Sequence, residues 1–162
     1  MEQFLKTLSK SFFRGVVVSK KKGKKSSRAK RNGKQFLIAE AIIRNPLGKI
    51  LLMKRSPRNR YFINLFELPG GCMEFGEDPE QAIKREIKEE CGLSVSKCKL
   101  LRVDSYFDER NNLREQGIVF VYKCKAKGKV SLSRDHLEFI WVYPREAKKK
   151  KLTPATRKTL FG

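Results

Sequence analysis

Three features of this 162-residue chain predict an α/β fold. Aliphatic stretches in the first half read as strands, a capped amphipathic helix lies near the centre, and the second half is again strand material. The length allows one domain with a normal core, and 40% apolar residues can fill it. The net charge of +21 is extreme for that length and calls for anionic partners.

Residues 1–34 carry twelve Lys or Arg against the single Glu2, so eleven of the net positive charges sit there. This break in composition divides the chain into a basic N-terminal extension, 1–34, and a folded domain, 35–162. Phe4, Leu5, Leu8, Phe12 and Phe13 recur at helical spacing with Lys6, Lys10 and Arg14 between them, which predicts a short basic amphipathic helix. The run Lys20 to Arg31 is polar and reads as mobile. Such an extension resembles an organellar transit peptide or a nuclear localisation signal. It equally suits RNA, an anionic membrane surface or a merely solubilising tail, and its residues leave these open. No run approaches the roughly eighteen apolar residues of a membrane span. Cys72, Cys91, Cys98 and Cys124 show no C-x-x-C spacing and follow no secretory signal. Reduced thiols in an intracellular compartment are therefore expected, without a zinc site. The expected location is cytoplasmic, or an organelle or the nucleus if the extension is a targeting signal.

Within the domain, Gln35 to Arg44 and Lys49 to Arg55 read as strands around the turn Asn45-Pro46-Leu47-Gly48 and should form a hairpin. Ser56 to Tyr61 is a basic, proline-bearing loop, and Asn64 to Leu68 a short strand leading into Pro69-Gly70-Gly71. Asp78 is placed as the N-cap of a helix, with Pro79 at its first position and Gln81 completing a capping box; Gly92 should stop it. At about 100° per residue, Glu86, Glu89 and Glu90 share an arc of roughly 100° beside an apolar stripe of Ile83, Ile87 and Cys91. Like charges so close repel, and a hard divalent cation such as Mg2+ would compensate them; Arg85 can hold one carboxylate by a bidentate pair.

From Gly71 to Leu93 the spacing runs Gly, five residues, Glu77, seven residues, Arg85-Glu86-Ile87, one residue, Glu89-Glu90, one residue, Gly92-Leu93. This resembles, at every fixed position, the signature box of the Nudix hydrolases, and Leu68-Pro69-Gly70, Glu74, Gly76 and Ala82 are similar to frequent choices in that family. The subfamily is not identified. The resemblance implies an α/β/α sandwich with a mixed sheet and a loop-helix-loop active site. It also implies Mg2+- or Mn2+-dependent hydrolysis of a nucleoside diphosphate linked to another group. Glu86, Glu89 and Glu90 are the implied metal ligands, joined by the Gly71 carbonyl, with Glu86 also able to orient or deprotonate water. Glu77 and Arg85 tie loop to helix, and Gly70, Glu77 and Gly92 hold the motif's shape. Glu74 is a weaker metal or substrate candidate. Arg55 ends a strand where the family commonly carries a basic residue near the substrate, and Arg60 lies in a loop able to approach a phosphate or base.

Cys98 to Phe107 and Gly117 to Lys125 read as strands joined across Asp108 to Gln116, with Asn111-Asn112 as the turn. Asp108, Glu109 or Glu115 can supply an extra ligand from that connection. Val119 to Tyr122 and Phe139 to Trp141 read as core. Ser133 to Val142 resembles the segment before the last Nudix strand, where an acid sometimes acts as general base; Glu138, with Asp135 behind it, is the candidate. His136, the single histidine, reads as a loop or hydrogen-bonding residue. Pro144 to Leu152 should form a closing helix, and residues after Thr153 a short tail.

The substrate expected first is a small nucleotide: an NTP or dNTP, ADP-ribose or a nucleotide sugar. An RNA 5′-end pyrophosphohydrolase or decapping-type enzyme follows, favoured by the charge; relatives of that branch usually place a Gln between the proline and glycines, absent here. A non-catalytic RNA-binding protein of the same fold is the third reading, and the intact set of carboxylates argues against it.

Overall fold

The computed structural model describes residues 33–110 and 113–162. The expected helix at 4–13, the run 20–31 and the Asn111-Asn112 turn lie outside the described residues. The central helix, α1 (Pro79–Cys91), has the predicted start and stop. The Asp78 carboxylate accepts from the N–H groups of Glu80 and Gln81, the Gln81 side chain accepts from the Asp78 N–H, and Gly92 turns into the left-handed region at φ 67°.

The strands form two sheets. One has the order β4 (Gly70–Cys72), β1 (Lys34–Ile43), β6 (Leu113–Lys127), β5 (Ser94–Arg110); the other has β3 (Phe66–Glu67), β2 (Ile50–Arg55), β7 (His136–Val142). The first is mixed, since β1 runs parallel to β6 and antiparallel to β4. The predicted β1–β2 hairpin is not sustained. Beyond the bridge Arg44–Ile50 the two strands enter different sheets, because β4 and β6 claim both edges of β1 while β3 and β7 claim both edges of β2. Asn45 to Gly48 is therefore a corner between layers.

Both strands read as nearly continuous apolar runs because both of their faces are covered. Ala39, Ala41, Leu51 and Met53 turn toward α1, whose Ala82, Ile83, Ile87 and Cys91 are buried there. Burying each isoleucine contributes about 2 kcal/mol. Ile50 and Leu52 face the opposite way onto Leu68, Val142, Ala147 and Leu152.

The C-terminal end departs from expectation. The closing helix is one turn, α2 (Pro144–Ala147), and the chain then bridges Leu152 to Phe66. The expected tail is a helix, α3 (Pro154–Phe161), capped by Thr153. Its inward residues, Ala155, Thr156 and Thr159, are small or polar, so no apolar stripe marked it. The β5–β6 ladder also continues past the predicted strand ends, to Arg110 opposite Leu113. Val119, Val121 and Tyr122 are core as expected, but Phe139 is 40% exposed. The expectation of reduced thiols is corrected for one pair: Cys98 and Cys124 are in register across β5 and β6 and joined as a disulfide, while Cys72 and Cys91 are free thiols. Sequence spacing hid a pairing set by strand register.

Candidate active site

The site is built where α1 crosses β4. Gly70 adopts φ 150°, and a Cβ there would collide with the Ala39 carbonyl oxygen, so glycine is required for β4 to lie against β1. At Gly71 a Cβ would stand 2.5 Å from Oε1 of Glu86, so this carboxylate rests directly on bare backbone.

Arg85 organises the helix edge. Its Nε and Nη2 donate to the two oxygens of Glu77 at 2.9 and 3.0 Å, Nη2 also reaches the Cys72 carbonyl, and Nη1 donates to Glu86 at 2.8 Å and Glu89 at 3.1 Å. The guanidinium holds the Glu77 carboxyl below its ordinary range, and the hydrogen bond to Glu77 raises the arginine's own proton affinity further. This is the loop-to-helix tie that the resemblance implied.

Glu90 points the other way. Its Oε2 accepts from the Gly70 N–H at 3.0 Å, and its Oε1 lies 3.7 Å from Nε2 of His136, which in turn sits 2.9 Å from Oε1 of Glu67. Glu67, Glu90 and His136 present ligand atoms within 4.8 Å of one another. Burial, reinforced by the charge of Glu67, pushes the Glu90 carboxyl well above its ordinary range; burial likewise raises Glu86, against the opposing pull of Arg85. Clustered carboxylates so hard to ionise form a mostly oxygen donor set that fits a hard divalent cation.

Glu67 is not singled out by the sequence, and His136, read there as a loop or hydrogen-bonding residue, does hydrogen-bond with Glu67. Glu67 lies on a two-residue strand, and its partner Arg55 donates from Nη1 to both of its oxygens at 2.8 Å. His136 arrives because Ser131 and Ser133 donate to the carbonyls of Cys91 and Glu90 at the end of α1. The one available signal was chemical, a lone histidine close to an acid.

Arg55 thus meets the expected position but is engaged inward, donating also to the Tyr61 carbonyl and to Asn59. Arg60 lies over the Tyr61 ring, 5.3 Å from its centroid. Glu74 is exposed, and its N–H donates to Glu77. Glu138 is not brought to the cluster. The register of β2 and β7 slips between Lys54 and Arg55, so Glu138 faces with Lys54, 3.1 Å from its Nζ, while His136 faces with Arg55. Strand alternation alone would have put both on one face. Asp135 meets Ser56 and Asn59 through its carbonyl. The side chain of Glu109 lies outside the described residues. Glu115 lines a cavity of about 330 Å³ beside the glutamates, together with Phe36, Tyr106, Glu40, Glu67 and Gly71.

A carboxylate-edged helix laid over a glycine strand, beside a cavity walled in part by aromatic rings, is the candidate active site. A family model of the NUDIX domain matches residues 35–161, and the chain belongs to the Nudix hydrolase family. It is 30% identical over 136 residues to the nucleoside triphosphatase NudI of Escherichia coli O139:H28, an alignment covering 78% of this chain and 95% of that protein. It is 43% identical over 61 residues to the 8-oxo-dGTP diphosphatase of Escherichia coli K12, covering 38% of this chain and 46% of the relative, so this match spans less than half of that enzyme. Among solved structures, a MutT protein from Methanosarcina mazei Go1 superposes with a TM-score of 0.67 at 25% identity, over 80% of this chain and 92% of that one. A MutT Nudix hydrolase from Burkholderia pseudomallei gives 0.62 at 28% identity, over 78% and 96%. The protein is accordingly an enzyme of the Nudix class with the mixed-sheet fold. Among the described residues no helix is long and apolar enough to cross a membrane.

Proposed function

We propose that the protein hydrolyses the phosphoanhydride bond of a nucleoside triphosphate or a related nucleoside diphosphate derivative, with Mg2+ or Mn2+ as cofactor. The observation that carries this reading is that Glu86 and Glu90 rest on the bare backbone of Gly71 and Gly70, which line the cavity, while Glu89 is held with Glu86 by Arg85. A bound Mg2+ or Mn2+ supplies charge neutralisation to the diphosphate and acidifies the attacking water. Glu86, Glu89 and Glu90, with the Gly71 carbonyl, are the groups that would hold it; Glu67 and His136 flank Glu90, which the Gly70 N–H orients. Arg85 fixes Glu86 and Glu89, and Arg55 fixes Glu67, so none of these carboxylates has to be ordered when substrate arrives. Glu86 is also assigned to orienting water. Glu138 is assigned no catalytic role, because its partner is Lys54.

The names of the relatives support a small nucleotide substrate. The charge of +21 favours RNA 5′ ends as the second reading, with residues 1–34 as an appended basic segment that binds polyanions or directs the chain within the cell. The test is a panel of NTPs, 8-oxo-dGTP, ADP-ribose and 5′-triphosphorylated RNA, assayed with and without Mg2+. Metal-dependent release of a nucleoside monophosphate supports the first reading. Turnover confined to RNA supports the second, and no turnover on any substrate removes both.

A further inference from the structure

The inward face of β1 away from α1 reads Ile38, Glu40, Ile42, where alternation calls for three apolar residues. Glu40 is only 4% exposed, and yet it lines the cavity beside the glutamate cluster, opposite Gly70 in the β1–β4 register. Its partners are two hydroxyls of α3. Thr156 donates to Oε1 at 3.1 Å and Thr159 donates to Oε2 at 2.8 Å. The Thr156 oxygen already accepts the Leu68 N–H at 2.9 Å, which fixes the direction of its own hydrogen toward Glu40. Each carboxylate oxygen therefore spends one acceptor site on α3 and keeps another for a ligand. A valine or isoleucine would pack this position at lower cost than a buried carboxylate, so packing does not explain the glutamate. The cavity's other walls include Phe36, Ile38 and Tyr106, whose ring lies across Gly117 so closely that a Cβ there would overlap it. Flat apolar walls around Glu40, with Arg55, Glu67 and Glu115 on the rest of the lining, suit a planar heterocycle with polar edges.

We propose that Glu40, oriented by Thr156 and Thr159, is the specificity-determining residue that reads the nucleobase and favours bases presenting paired N–H donors, the guanine type, over adenine. A carboxylate only accepts, so it matches the N1–H and N2–H2 edge of guanine, whereas adenine offers one donor beside one acceptor. The inference rests on the nucleotide reading above. Burial pushes the Glu40 carboxyl up to about 7 against the lowering effect of the two threonines, with Glu67 and Asp104 as the nearby acids and Tyr106 beside it; Arg102 donates to Asp104. Once protonated, Glu40 offers one donor and one acceptor, which is the pattern adenine matches.

The experiment measures kcat/KM for GTP and ATP, and in parallel the binding of GMP and AMP without turnover, using the full chain and Glu40→Gln. Wild type should favour the guanine nucleotide by about tenfold or more in both readouts. The preference should shrink as pH falls below about 7, and Glu40→Gln should abolish it chiefly through KM while leaving kcat near wild type. An equal loss on both nucleotides, or a preference unchanged in the variant, overturns the assignment. If Glu40→Gln does not fold, the wild-type pH profile decides: a guanine-to-adenine ratio constant from about pH 6 to about pH 8 refutes the inference. Base-selective binding of GMP that depends on Glu40 without any hydrolysis keeps this inference and removes the hydrolase reading. Turnover without base preference does the reverse, and a chain that binds neither GMP nor AMP overturns it.

Discussion

Glu90 at the end of α1 and Glu40 in the middle of β1 are both buried carboxyls with raised proton affinity, and they are held in opposite ways. Around Glu90 stand two further acids, Glu67 and Glu86, with one backbone N–H as its hydrogen-bond donor. Around Glu40 stand two threonine hydroxyls that satisfy both oxygens. A crowd of like charges calls for a cation, whereas a carboxyl whose oxygens are met by hydroxyls can meet burial by keeping its proton. The same side chain thus serves ion binding in one region and hydrogen-bond recognition in the other.

Variants that neutralise the crowded region should give the largest effect. Glu89→Gln and Glu90→Gln are each expected to lower metal-dependent turnover by about 10²-fold or more, measured as kcat with the circular dichroism spectrum unchanged. Next is the backbone on which the cluster rests. Gly70→Ala introduces a Cβ against the Ala39 carbonyl at an unfavourable φ, and should cost more than about 2 kcal/mol in denaturant unfolding.

Glu40 should show itself in the pH dependence of stability. Its carboxyl binds a proton more tightly in the folded chain than at the ordinary 4.5, so the unfolded state ionises first and stability falls as pH rises from 4.5 through about 7. Relative to wild type, Glu40→Gln should therefore gain on the order of 2 kcal/mol between about pH 5 and about pH 8, read from unfolding at both pH values. A difference independent of pH would contradict the buried, protonation-prone carboxyl of Glu40. The smallest effect is expected at Glu138. Its pair with Lys54 is half exposed, so Glu138→Gln should change stability by less than about 1 kcal/mol and turnover by less than about twofold.

The two regions also differ in how far they could be read from sequence. The cap at Asp78, the stop at Gly92 and the edge of Glu86, Glu89 and Glu90 are encoded within fifteen consecutive residues, Asp78 to Gly92, where helical period and capping chemistry act locally. Glu40 meets Thr156 and Thr159 across more than a hundred residues, and nothing in QFLIAEAIIR or TPATRKTL signals that encounter. His136 is similar: it reaches Glu90 through the Ser131 and Ser133 contacts to the end of α1 and a register slip in β2–β7. The β1–β2 corner was missed because local turn chemistry cannot show that other strands hold both edges. Local periodicity gave the helix; long-range register supplied its partners.

The central claim, that the α1 carboxylates gather a divalent cation, is tested most directly by calorimetric titration of Mg2+ and Mn2+ into the full chain, with wild type and Glu90→Gln compared in the presence of a non-hydrolysable nucleotide analogue. The account predicts saturable uptake by wild type, accompanied by a rise in Tm, and its weakening by about tenfold or more in the variant. Equal uptake by both proteins, or none by wild type, would contradict it.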